Sequence, residues 1–142
     1  SRATHHDSGD TNGESDIFVY DVNTRETKLV SKTFDNLPAN GSSSTPVISG
    51  NGKVVAFIST ASNLVAGDDN GVADLFLVDL DAQTIELVSK SVDGTPGNQA
   101  MRSGKVGTIS LNYEGTKVVF ESSASNLVPN DNNGFSDIFL FD

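Results

Sequence analysis

The sequence predicts an all-β chain made from one repeated supersecondary unit. Three observations predict it: a loop-plus-strand cassette is written three times, no segment shows a helical period, and short apolar runs alternate with Gly/Asn/Asp turns. The cassette reads Gly67-Asp68-Asp69-Asn70-Gly71-Val72-Ala73-Asp74-Leu75-Phe76-Leu77-Val78-Asp79, with copies at Gly9–Asp21 and Asn130–Asp142. Its common form is Asp-x-Asn-Gly-x-(Ser/Ala)-Asp-(Ile/Leu)-Phe, an oxygen-rich turn that runs straight into an apolar strand.

Taken in order, Ser1–Gly9 is a loop that aligns without gaps on Ser59–Gly67 and on Ser122–Asn130, so the chain starts at an interior point of its own repeat. His5 and His6 stand there where the other copies have Asn and Leu, and a histidine pair near a terminus reads as a bystander. Ile17–Tyr20 is a continuous apolar run, the signature of a strand covered on both faces. A turn at Asn23-Thr24-Arg25 leads to Glu26–Lys32, whose weaker alternation and lysines suit an outer strand.

Thr33–Thr45 is a polar loop containing the only glycosylation sequon, Asn40-Gly41-Ser42. Pro46–Ser49 is a short strand, Gly50-Asn51-Gly52 a tight hairpin whose Asn-Gly pair is expected at positive φ, and Lys53–Ile58 a buried return strand. The next unit repeats the plan: Asp74–Asp79, a turn at Asp81-Ala82-Gln83, and Thr84–Lys90. A loop through about Gly104, a short strand near Gly107–Leu111, a turn at Asn112–Gly115 and Thr116–Glu121 follow.

The repeat spacing is 58 residues from Asp16 to Asp74 and 63 from Asp74 to Asp137. Val30 to Ile48 spans 18 residues against 21 from Val88 to Ile109, and Ile48 to Phe57 spans 9 against 11 from Ile109 to Phe120. The extra residues therefore fall in loops and the strands keep their lengths. A four-stranded antiparallel meander of this size, apolar on both faces of its inner strands, reads as a beta-propeller blade packed between neighbouring blades. The chain divides into the end of a first blade (1–45), a full blade (46–102) and three strands of a further one (103–142), about 2.25 blades.

On Ser49–Phe57, on Asp74–Asp79 and on the Ala-Ser-Asn-Leu-Val segments at Ala61–Val65 and Ala124–Val128, the chain resembles the TolB-like bacterial propeller repeats related to the WD type. The resemblance covers nearly the whole chain and implies an exported protein, extracellular, periplasmic or at the cell surface. It says little about activity. A closed propeller takes at least about four blades. The expected partners are therefore other copies of the chain, completing a ring or filament through the incomplete blades, or flanking blades of a longer polypeptide.

A formal charge of −10 from 19 acidic and 9 basic residues disfavours nucleic acid and anionic membranes as partners. No apolar run approaches the roughly 20 residues of a membrane helix, and the first residues lack a signal peptide's plan. The absence of cysteine excludes disulfides and thiolate sites.

The repeated turn is the one constellation with a natural ligand. Calcium takes six to eight oxygens, and alternate positions of a tight loop can supply them. The candidate side chains are Asp10, Asn12 and Asp16; Asp68, Asn70 and Asp74; and Asp131, Asn133 and Asp137, with the backbone carbonyls of Glu14, Val72 and Phe135 as fourth donors. The same residues also make metal-free turns, because Asp and Asn side chains bond nearby amides. Both readings stand at this point.

Catalytic constellations are thin: no nucleophile elbow, no phosphate loop, and Glu86, Glu114 and Glu121 on different repeat elements. Phe18, Phe57, Phe76, Phe120, Phe139 and Phe141 sit at strand positions and read as core. A noncatalytic binding or structural module is the expected function; the alternative is a fragment of a propeller enzyme acting on polysaccharide or peptide.

Overall fold

A computed structural model describes residues 10–101 and 109–142. Within them there is no helix, and nine strands form three antiparallel sheets. The first sheet pairs β1 (Phe18–Asp21) with β2 (Glu26–Leu29). The second runs β3 (Ser43–Ile48), β4 (Val54–Ser59), β5 (Asp74–Asp79), β6 (Thr84–Leu87) in sequence order. The third holds β7 (Ile109–Leu111), β8 (Val118–Ser122) and β9 (Asp137–Phe141), also in order. The expected grouping of strands into two, four and three is the one observed; His5, His6 and the start of the strand expected near Gly107 lie outside the described residues.

Period-two alternation places the middle sheet between its neighbours. Val55 and Phe57 of β4 and Phe76 and Val78 of β5 face the first sheet, where they meet Ile17, Val30 and Ala39. Ala56, Ile58 and Leu75 face the third, where they meet Ile109, Val118 and Phe120. Every residue of β4 is buried. Burying one such side chain stabilises by about 1.5–3 kcal/mol, so the two inter-sheet layers carry the fold. Phe57 stacks on Phe76 with centroids 5.9 Å apart, and Phe120 on Phe139 at 5.7 Å, the same pair one repeat later.

Polar clamps tie consecutive sheets at the loops. Asn40 N donates to Asn63 Oδ1 (2.9 Å), Ser62 N to Asn40 Oδ1 (2.9 Å), and Asn63 Nδ2 to the Pro38 carbonyl (3.1 Å). Asn98, Ser125, Asn126 and Pro96 repeat this arrangement at 2.9–3.0 Å. The Ala-Ser-Asn-Leu-Val segments are thereby explained: Ala61, Leu64, Ala124 and Leu127 enter the two cores while the Ser-Asn pair grips the preceding loop. The amide nitrogen of the sequon residue Asn40 donates to Ser62 Oγ (3.0 Å), so its side chain works as a clamp.

Three local expectations are corrected. The first strand of the middle sheet begins at Ser43, three residues before Pro46, because a register shift between Ser44 and Val47 absorbs Thr45 (φ +55°) and the proline, which has no N–H for the ladder. The outer strands stop at Leu29 and Leu87 rather than Lys32 and Lys90; beyond them Val30 N and Val88 N still reach the carbonyls of Ile17 and Leu75 at 2.8 Å. In the Gly50-Asn51-Gly52 turn only Gly52 takes positive φ (+74°). Asn51 instead accepts Lys53 N on its side-chain oxygen (3.0 Å), as a turn-forming Asn does.

Candidate functional site

The three repeated turns share one frame. The asparagine side-chain oxygen accepts the N–H two residues on: Glu14 N to Asn12 Oδ1 (2.8 Å), Val72 N to Asn70 Oδ1 (3.0 Å) and Phe135 N to Asn133 Oδ1 (2.8 Å). The glycine that follows is at φ +73°, +70° and +72° with open space around it, so glycine is required there for its backbone and not for clearance. The asparagine nitrogen holds the far side of the loop. Asn70 Nδ2 donates to Asp74 Oδ2 (2.7 Å) and to the Gly97 carbonyl (2.9 Å), Asn133 Nδ2 to Asp137 Oδ2 (2.8 Å), and Asn12 Nδ2 to the Ala39 carbonyl (2.9 Å).

The last aspartate of each turn stands at or just before the start of a strand, and in the first two turns it lies in the core. Asp16 and Asp74 are buried, and each accepts a serine hydroxyl: Ser31 Oγ to Asp16 Oδ1 (2.6 Å) and Ser89 Oγ to Asp74 Oδ1 (2.5 Å). The same serine oxygen accepts the next amide, Ile17 N at 3.1 Å and Leu75 N at 3.0 Å. Burial raises the Asp74 carboxyl above the ordinary aspartate value, while Ser89 and Asn70 pull it back. Motif reading does not single out these serines, yet the identical Leu-Val-Ser-Lys at 29–32 and 87–90, whose serine stands 15 residues past its aspartate, is a signal for them.

The first aspartate has a different environment. Asp10 is 4% exposed and, among the described residues, neither of its carboxylate oxygens meets a hydrogen-bond donor. Asp68, 5% exposed, faces Asp74; burial first, then the charges of Asp74 and Asp69, push its carboxyl up to about 6. The third turn lies on edge strand β9, and Asp131 and Asp137 are only half-buried. The second turn brings Asp68, Asn70 and Asp74 together and the third joins Asn133 to Asp137, while in the first Asn12 bonds the Ala39 carbonyl; in each the asparagine braces the loop. Among the described residues no group of three or more His, Cys, Asp or Glu converges as a metal cluster.

A raised aspartate favours the folded state only when protonated, so it gives a testable sign. In calcium-free buffer, stability contributed by Asp68 is lowest above pH 6, grows as pH falls from 6 toward 4, and is level below the unfolded value near 3.8. Asp68→Asn is expected to stabilise at pH 7 by on the order of 1–2 kcal/mol, discounted for solvent at the loop, and to flatten that window. Urea denaturation at pH 4.5 and 7 measures both.

A concave surface elsewhere among the described residues is built differently. A cleft of about 500 Å³ separates the outer strands of the first two sheets, lined by Asp21, Lys28, Asp79 and Asp81 among others. Asp21 and Asp79 are committed to the hairpin turns, accepting Asn23 N (2.8 Å) and Ala82 N (2.8 Å). The Asp21 carboxyl is held below its ordinary value by the amides of Asn23 and Thr24. Glu86 is paired with Lys90 at 2.8 Å, and Glu114 and Glu121 lie on a turn and on β8. Comparison with known protein families and with curated proteins finds no match to the chain.

Proposed function

We propose that this chain is a run of beta-propeller blades of the TolB-like kind, serving as a noncatalytic structural or binding module of an exported bacterial protein, and that it is extended by further sheets of its own type. One observation carries the reading. Leu75 is 0% exposed, sealed by the third sheet, whereas Ile138, at the same position of the next repeat, is 70% exposed. Leu140 (62%) and Val119 (41%) share its face, while Phe139 and Phe141 on the opposite face pack on the middle sheet. A strand buried on one face and bare on the other, in a sequence that buries both elsewhere, calls for a neighbour.

The occupant we assign is the first sheet of a second copy. Within the chain each sheet packs its Phe-bearing face on the sheet before it, and Phe18 and Tyr20 of β1 carry that face outward. Tyr20 is exposed, and an open groove of about 790 Å³ lies between β1 and β3, where a four-stranded sheet would place two more strands. Stacking of this kind is head to tail and makes a ring or a filament.

Size-exclusion chromatography with light scattering is the test. Mass above that of one chain, growing with concentration, is expected, and Ile138→Lys with Leu140→Glu should return it to one chain with an unchanged circular dichroism spectrum. A wild-type monomer at every concentration would remove the reading.

A further inference from the structure

We propose that the turns at 10–16 and 68–74 bind calcium, with Asp10 and Asp16 in the first and Asp68 and Asp74 in the second as the carboxylate ligands. Acidic turns alone would not justify this, since the asparagines brace them without any ion. The deciding feature is Asp10: a carboxylate 96% removed from solvent whose two oxygens reach no donor among the described residues. A charge buried without a partner is strongly unfavourable, and proteins resolve it by pairing, by protonation or by coordinating a metal. Among the described residues no lysine or arginine is ion-paired with either first aspartate, the pairs there being Lys28–Glu26, Lys53–Asp81, Lys90–Glu86 and Lys117–Asp142.

The second turn also buries its first aspartate. Asp68 is 5% exposed and lies beside the fully buried Asp74, so two carboxylates share one turn away from solvent. Main-chain oxygen is at hand in both: the Ala39 and Gly97 carbonyls already point at the asparagine of their turn, at 2.9 Å from its nitrogen. The asparagine oxygen, with one lone pair given to the amide two residues on, keeps a second for a cation.

The donor set selects the ion. It is all oxygen, without cysteine anywhere in the chain, which excludes the soft and borderline metals' preferred ligands. The loop is irregular and open to water on its exposed residues Thr11, Asp69 and Gly71, so solvent can complete a coordination number above six. Calcium accepts such a shell, whereas magnesium requires a near-ideal octahedron. Two carboxylates per site correspond to dissociation constants of about 0.1–1 mM, those of extracellular modules. The proposal does not depend on further sheets, because both turns are closed by loops of this chain, at Ala39 and Gly97.

The 142-residue chain is melted in excess EDTA and in about 5 mM calcium chloride, with magnesium chloride and ionic-strength-matched sodium chloride as controls. Calcium is expected to raise Tm by about 5 °C, because a ligand of the native state stabilises by mass action. Asp10→Asn and Asp68→Asn should each remove part of the rise and together all of it, while Asp131→Asn should leave it unchanged. In heteronuclear NMR the amides of 10–16 and 68–74 should shift on titration and those of 131–137 should not. A Tm unmoved by calcium, an equal rise with magnesium or sodium, or a full response in the double variant would overturn the proposal.

Discussion

Leu75→Ala is expected to lower the unfolding free energy by about 2–5 kcal/mol, and Ile138→Ala to change it by less than about 0.5 kcal/mol. The two residues hold the same place in the repeat, directly after the aspartate that opens the strand, and they are nearly the same size. Leu75 is fully buried against Val88, Ile109 and Phe120, so truncation loses its transfer energy and leaves a cavity between two sheets. Ile138 stands in water on the outer face of β9 and has little burial to lose. Equilibrium urea unfolding of dilute protein, where association is negligible, measures both. Similar values for the two would mean that the outer face of the third sheet is covered in the free chain. A domain of this size has on the order of 5–15 kcal/mol in total, so the larger change alone approaches unfolding.

The contrast shows which parts of this molecule can be read along a line of residues. Strand existence and order were legible because their causes are local: Ile17–Tyr20, Val54–Ile58 and Leu75–Val78 are apolar without interruption, and Gly, Asn and Asp mark their ends. The frame of the repeated turn was legible for the same reason, since each Asn12, Asn70 and Asn133 bonds an amide two residues away. Contacts made across a fold were not. Ser31 and Ser89 reach aspartates 15 residues back, and Asn40 and Asn98 meet partners 22 to 28 residues on, so nothing in their immediate neighbours distinguishes them from loop residues. The charge state of the turns lay furthest from view. Asp10, Asp68 and Asp131 are equivalent in sequence, yet the first two are buried in turns that a later loop closes, at Ala39 and Gly97, and the third is half-exposed.

A second pair of equivalent positions separates backbone strain from packing. Gly52 and Gly115 each lie five residues before the core phenylalanine of their unit and each sits in the left-handed region, at φ +74° and +78°. A Cβ on Gly52 meets nothing within 4 Å, so Gly52→Ala should cost only the conformational penalty, about 1–2 kcal/mol. A Cβ on Gly115 would stand 2.5 Å from Val54 Cβ and Cγ2. Val54 cannot withdraw: it is branched at Cβ, buried, and paired with Asp79 in the middle of its sheet. The turn around Gly115 is also pinned, because Asn51 N donates to the Tyr113 carbonyl (3.0 Å) and Asn51 Nδ2 to that of Glu114 (3.3 Å). Relief therefore requires the second and third sheets to move apart at the hairpin ends where β3 and β7 approach each other. Gly115→Ala is accordingly expected to cost about 3–5 kcal/mol, the strain of Gly52→Ala plus the overpacking of an inter-sheet contact. Urea denaturation of the two variants side by side checks it. Equal losses would show that the hairpin ends of the two sheets do not touch, and that the layers are held together by the strand faces alone.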